Sequence, residues 1–123
     1  MDNNTRQRLL IVDDHRTNLL LLDKLFSEEY EVTTFLKPVE ALYRFSSESY
    51  DLVISDFTMP EMDGIELLKE IKQIDPYVPF IMISANNDKE NVHAAYQAGV
   101  EHYVFKPLNI SALVNTVKSL INS

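Results

Sequence analysis

The sequence predicts an α/β fold: a parallel five-stranded sheet, doubly wound in (βα)5 order, with helices on both faces. Three observations carry that prediction. Five short apolar runs alternate with five stretches of helical periodicity along the 123 residues. The runs are apolar at successive positions, as in strands covered on both faces. Strands separated by helices also need crossover connections, which make them parallel and right-handed.

Each element has a local reason. Leu9 to Val12 is an apolar run stopped by Asp13 and Asp14. A helix follows from about Thr17, with Leu19, Leu22 and Phe26 at helical spacing. Glu31 to Phe35 is rich in β-branched and aromatic residues and reads as the second strand. Lys37-Pro38 opens the second helix, where proline suits the first turn, and Val39, Leu42 and Phe45 form its expected buried face. Leu52 to Ser55 is the third strand and ends at Asp56. Asp63-Gly64 starts a helix with Ile65, Leu68 and Ile71 on one face, and Pro76 stops it. Val78 to Ile83 is the fourth strand and ends at Ser84. Asp88 caps a helix carrying Val92, Ala95 and Tyr96, which Gly99 terminates. His102 to Phe105 is the fifth strand, ending at Lys106-Pro107. Ile110, Leu113, Val114, Val117, Leu120 and Ile121 make the clearest helical stripe in the chain. The result is a flavodoxin-like three-layer sandwich of strand order 2-1-3-4-5.

Composition limits the function. The length suits a single domain over residues 1–123, with a core from about 9 to 121 and a short polar N-terminal arm. Apolar residues make up 46% and charged residues 24%, the balance of a soluble globular protein. Eleven basic against 19 acidic residues leave a net charge of −8, which argues against holding nucleic acid on a basic surface. The absence of cysteine excludes disulfides, iron–sulfur clusters and thiolate zinc sites. The N-terminus lacks the pattern of a signal peptide, and no stretch approaches the ~20 apolar residues of a membrane span. A cytoplasmic domain with no membrane partner is expected.

The polar residues collect at the carboxyl ends of the strands, where doubly wound sheets bind ligands. Asp13 and Asp14 end the first strand, Asp56 the third, Ser84 the fourth and Lys106 the fifth. With strands 1 and 3 adjacent, three carboxylates share one mouth. Like charges so placed repel, and one pKa rises unless a cation intervenes. Mg²⁺ takes one or two carboxylates, keeps waters and leaves room for phosphate oxygens. Lysine supplies a compact positive charge and serine a hydroxyl donor. Aspartate forms acyl phosphates, so Asp56 is the candidate nucleophile. Phosphoryl transfer asks mainly for positioning and charge neutralisation, here from a metal at Asp13 and Asp14 and from Lys106.

With those residues in place, the sequence resembles the receiver domain of two-component response regulators. The acid pair, the DFTMPEMDG segment around Asp56, Ser84-Ala85 and Lys106-Pro107 fall in that family's order, and the likeness runs from about Leu9 to Leu120. It implies that Asp56 accepts phosphate from a sensor histidine kinase or histidine phosphotransfer protein. It implies Mg²⁺, with Mn²⁺ as an alternative, bound by Asp13, Asp14, Asp56 and the backbone carbonyl of Thr58. Lys106 would pair with Asp56 and then with the phosphoryl group, and Ser84 would move to bond a phosphoryl oxygen. Tyr103 would be an aromatic switch reporting to an output domain or protein target at the face of helix 4, strand 5 and helix 5. Thr58 and Asn86 occupy positions that tune dephosphorylation. A phosphorylation-dependent homodimer is a further outcome the resemblance allows. The domain would be a signalling switch, with Mg²⁺-dependent self-phosphorylation and slow self-dephosphorylation, rather than an enzyme.

Plainer readings stand beside these. Asp13-Asp14 is also a natural strand stop and helix start. Tyr103 on a strand is also a core aromatic, and Lys106 a surface lysine before a loop proline. His15 reads as an exposed helix-start residue, since imidazole matches Mg²⁺ poorly. A dehalogenase-type phosphatase would want a second acid where Thr58 stands and a substrate cap. A flavin carrier would want a Ser/Thr/Gly-rich loop where Asp13-Asp14-His15 stands. A receiver-like module that only binds partners would not need the full acid, hydroxyl and lysine set.

Overall fold

The computed structural model describes residues 6–85 and 88–122. Ten elements alternate strictly: β1 (Arg8–Val12), α1 (Arg16–Phe26), β2 (Glu31–Phe35), α2 (Pro38–Ser47), β3 (Leu52–Asp56), α3 (Gly64–Ile74), β4 (Phe80–Ser84), α4 (Lys89–Gln97), β5 (His102–Phe105) and α5 (Ile110–Ile121). The strands form one sheet of order β2-β1-β3-β4-β5, and every neighbouring pair is parallel. This is the predicted α/β architecture. Among the described residues no helix is long and apolar enough to cross a membrane.

The period-2 geometry of a strand divides the apolar residues between two cores. Leu10, Val12, Val53, Phe80 and Met82 point to one face and pack with Ala41, Phe45, Leu67, Leu68, Ile71 and Ala95 from α2, α3 and α4. Leu9, Ile11, Leu52, Ile54, Ile81 and Ile83 point to the other and pack with Leu19, Leu22, Phe26, Leu113 and Val117 from α1 and α5. The three central strands are therefore buried on both faces, while β2 and β5 are half-exposed edges.

Several boundaries and faces differ from the sequence reading. The buried positions of α2 are Pro38, Ala41 and Phe45, and Val39 is 50% exposed. Val39 lies one residue, about 100°, round the helix from Pro38, so only the series through Ala41 meets the sheet. β4 begins at Phe80 rather than Val78. The Pro79 nitrogen has no hydrogen to donate to a ladder, though its carbonyl accepts from the Val53 amide at 2.9 Å. β1 begins one residue early because Arg8 is tied at its backbone, its N–H donating to Asp51 Oδ2 at 2.7 Å. Tyr96 is 47% exposed, leaving Ala95 as the one fully buried side chain of α4. On α5 the deep positions are Leu113 and Val117, with Ile110 at the exposed margin.

The predicted caps are present. Asp63 accepts from the Glu66 amide while Glu66 accepts from the Asp63 amide, a reciprocal capping box at 2.9 Å each way. Asp88 accepts from the Glu90 amide. Gly99, at φ +104°, closes α4. Its N–H donates to Tyr96 O and that of Val100 to Ala95 O, the paired bonds of a Schellman motif.

Gly64 matters for a different reason. A Cβ there would lie 2.5 Å from Met82 Sδ and 2.7 Å from the Asp56 carbonyl oxygen. The start of α3 is thus pressed against the end of β3, and the Gly64 N–H donates to Phe57 O at 2.8 Å. Gly64→Ala is expected to destabilise the fold by roughly 1–3 kcal/mol, the usual range for overpacking, measured as a lower midpoint in urea with an unchanged slope.

Candidate functional site

The carboxyl ends of the sheet gather the predicted residues. β1 runs out at Val12, whose register partners are Phe35 on β2 and Ser55 on β3. Asp13 follows, 4% exposed. Its Oδ1 accepts from the His15 amide at 2.9 Å, and its Oδ2 accepts from Asn18 Nδ2 at 3.3 Å. Asp14 is half-buried, and its Oδ1 is fully enclosed without a hydrogen bond.

Asp56 is the last residue of β3, opposite Ile83 on β4, and only 5% exposed. Lys106 Nζ reaches its Oδ1 at 2.8 Å. The lysine is fixed from behind, since its amide donates to Ser84 O at 2.9 Å. Burial pushes the Asp56 carboxyl above the ordinary carboxylate range; Lys106 pulls it back, Asp13 raises it again, and the Thr58 backbone N–H lowers it. The direction is the one expected for an acid in this mouth, but its main cause is burial, with repulsion from Asp13 a smaller contribution.

Ser84 ends β4, 2% exposed, and pairs in register with Phe105. Tyr103 is buried at 7% exposure, with its ring 6.3 Å from Phe57 and 5.4 Å from Phe105 between centroids. Its amide donates to the Tyr96 hydroxyl at 3.3 Å. An aromatic contact thus joins the residue after Asp56 to β5, and a hydrogen bond joins β5 to α4. The loop after Asp56 is held by buried Met59 and passes through Glu61 at φ +74°, a left-handed conformation that non-glycine residues adopt infrequently. Asn86 lies outside the described residues, as do residues 1–5 of the N-terminal arm.

Two neighbours of the acid pair were not singled out for a role by the sequence. Asn18 lies in the first turn of α1, where helical rotation brings it back over Asp13. His15 is exposed at the helix start as expected, yet its Nδ1 lies 3.2 Å from both Asp13 Oδ1 and Asp14 Oδ1. Among the described residues, Asp13, Asp14 and His15 form the group whose ligand atoms all lie within 4.8 Å of one another. Asp56 stands across the mouth from that group, on its own lysine. The fit to a hard cation rests on Asp14 Oδ1, an enclosed carboxylate oxygen with its hydrogen-bonding capacity unspent, beside a second carboxylate.

Because the folded state holds the Asp56 proton more tightly than the unfolded chain, stability from its neutral form is fully present below the ordinary carboxylate range. It is lost as pH rises through the raised value. Asp56→Asn removes that loss. The variant is expected to be more stable than the parent near neutral pH and to converge with it in acid. Melting curves across pH check this, and a variant less stable than the parent at pH 7 contradicts it.

Comparison with known proteins follows the geometry. The family described as "Response regulator receiver domain" matches residues 9–118. The chemotaxis protein CheY of Bacillus subtilis (strain 168) is 38% identical over 117 residues, covering 94% of this chain and 98% of CheY. The DNA-binding transcriptional regulator NtrC of Escherichia coli (strain K12) is 36% identical over 113 residues, which are 91% of this chain but 24% of NtrC. Among solved structures, a CheY-like receiver domain protein from Methanospirillum hungatei JF-1 superposes with a TM-score of 0.92 at 29% identity, covering 96% of this chain and 95% of that one. The receiver domain of the sensor histidine kinase PA1611 from Pseudomonas aeruginosa PAO1, solved with magnesium in its active-site cleft, gives 0.87 at 25% identity, covering 97% of this chain and 100% of that one. The chain therefore belongs to the response regulator receiver domains, the phospho-accepting switches of two-component signalling.

Proposed function

We infer that Asp56 is the phosphoacceptor and that the domain, spanning residues 1–123 as one unit, relays phosphorylation as a conformational switch in the cytoplasm. The observation that carries this reading is the Asp56 carboxylate itself: buried, raised in pKa, and salt-bridged to Lys106 at 2.8 Å at the mouth of the sheet. In the reaction, an Asp56 carboxylate oxygen attacks the phosphorus of a phosphohistidine. The P–N bond breaks, and its electron pair leaves on the imidazole of a sensor kinase or phosphotransfer protein. Lys106 orients the nucleophile beforehand and pairs with the phosphoryl group afterwards. Ser84 donates its hydroxyl to a phosphoryl oxygen. Asp13, Asp14, Asp56 and the Thr58 carbonyl would hold Mg²⁺, or Mn²⁺ in its place. When bound, the ion supplies positive charge against the phosphoryl oxygens. Self-phosphorylation from small donors and slow self-dephosphorylation would use the same residues, with Thr58 and Asn86 setting the lifetime.

Two surfaces support the rest of the reading. A groove of ≈ 390 Å³ opens beside Asp13 and Lys106, walled by Leu21, Leu22, Leu108 and Ile110, and offers a phosphodonor an apolar seat next to the chemistry. A shallower groove of ≈ 540 Å³ lies between α4 and β5, where Tyr96 and Phe105 are each 47% exposed. It adjoins Tyr103 and suits an output domain, a protein target or a second receiver across the α4–β5–α5 face. Tyr103 would be the reporter, leaving or keeping its buried site as Ser84 moves.

With Mg²⁺ and acetyl phosphate, the chain is expected to form a hydroxylamine-sensitive adduct at Asp56. Asp56→Asn and chelation of the metal should each abolish it. An adduct that survives Asp56→Asn sinks the assignment. Lys106→Ala is expected to keep Mg²⁺ binding nearly unchanged and to break the link between phosphorylation and response. The check is the shift in Tyr103 resonances on adding beryllofluoride, which the parent should show and the variant lose; a full shift in the variant counts against the role of Lys106.

A further inference from the structure

We propose that His15 contributes its Nδ1 as a ligand beside Asp13 and Asp14, giving the cation site a mixed carboxylate–imidazole character that favours borderline divalent ions over Mg²⁺. The proposal rests on the reading of the acid pair as the cation site and adds a ligand to it.

The spacing of the donors carries the argument. His15 Nδ1 stands 3.2 Å from Asp13 Oδ1 and 3.2 Å from Asp14 Oδ1. Two ligands at right angles on one ion, each about 2.1 Å from it, are themselves about 3 Å apart. Two of the three donor separations therefore already match those of groups sharing an ion, and all three donors lie within 4.8 Å of one another. Asp14 Oδ1 is enclosed and makes no hydrogen bond even with the ring at that distance, so the contact is not an ordinary hydrogen-bonded pair. His15 occupies the N-cap of α1 without a side-chain cap bond, and its Nδ1 hydrogen-bonds Asp13 Oδ1 at 3.2 Å when it carries the ring proton, a contact that a shared ion would replace. Its backbone is pinned to Asp13 through the His15 amide, which keeps the ring beside the acid pair. Ligation through Nδ1 requires the ring proton to sit on Nε2.

Ligand chemistry then sets the preference. Mg²⁺ takes oxygen donors and gains little from imidazole, whereas Ni²⁺ and Zn²⁺ accept it readily. A receiver site made of oxygens alone discriminates weakly by ligand type. This chain's site, with one nitrogen, shifts toward those ions. His93 and His102 lie far along the chain and join no such cluster among the described residues.

The test titrates the intact chain with Mg²⁺ and with Ni²⁺ by calorimetry, alongside His15→Ala and Asp14→Asn, and records pulsed EPR of bound Mn²⁺ for nitrogen coupling. The expected result is that His15→Ala lowers Ni²⁺ affinity about tenfold or more while Mg²⁺ affinity changes little, so the ratio collapses. Mn²⁺ on the parent should show imidazole ¹⁴N coupling, and His15→Ala should lose it. His15 is 64% exposed at its side chain, so the variant should fold. If Asp14→Asn abolishes binding of both ions but His15→Ala keeps the Ni²⁺/Mg²⁺ ratio and the Mn²⁺ spectrum lacks nitrogen coupling, His15 is not a ligand. If Asp14→Asn leaves both affinities intact, the acid pair is not the cation site and the underlying reading falls with the proposal.

Discussion

The structure turns on one ion pair, Lys106 Nζ to Asp56 Oδ1 at 2.8 Å. Asp56 ends a strand paired on both sides and is nearly sealed from water, a position that penalises a bare charge. The lysine arrives from β5, two strands away, and its own amide is hydrogen-bonded to Ser84 at the end of β4. Three consecutive strands of the sheet thus converge on one carboxylate. The parallel register makes this geometry available, because it delivers every strand's last residue to the same edge.

Compensation is incomplete. Burial outweighs the lysine, so the carboxyl keeps a raised affinity for protons, and Asp13 across the mouth adds to the imbalance. Such a site is poised for anything that brings positive charge or consumes the negative one. The acid pair is held differently. Asp13 is spread over the His15 amide and Asn18, whereas one oxygen of Asp14 remains uncommitted. The mouth therefore contains one acid balanced by a cation, one tied by hydrogen bonds, and one open.

Much of this could be read from the sequence because strand ends are punctuated. Asp13-Asp14, Asp56, Ser84 and Lys106 each break an apolar run, and the alternation of elements supplies the topology that brings them together. The caps at Asp63, Asp88 and Gly99 were legible for the same local reason. What escaped depends on how elements meet in three dimensions. Periodicity identified α2 but gave Val39 the wrong side, because a short helix offers two nearly equivalent apolar stripes. Asn18 lies a helical turn beyond the acids, and only the angle at which α1 leaves β1 brings it over Asp13. The crowding at Gly64 comes from Met82 on another strand, which no local pattern reveals.

α4 is a well-capped helix that is weakly anchored. Asp88 and Gly99 define its ends, yet Ala95 is its single buried side chain, against three on each of α1, α2 and α3 among the described residues. An alanine and a half-covered valine bury little apolar surface, on the order of 1–2 kcal/mol at 25 cal/mol per Å². A displacement of the helix as a rigid rod would therefore uncover little core. One polar tie from it to the sheet is the Tyr96 hydroxyl accepting from the Tyr103 amide, a bond at the long end of the normal range. The same lightly buried helix walls the open groove that Tyr96 shares with Phe105.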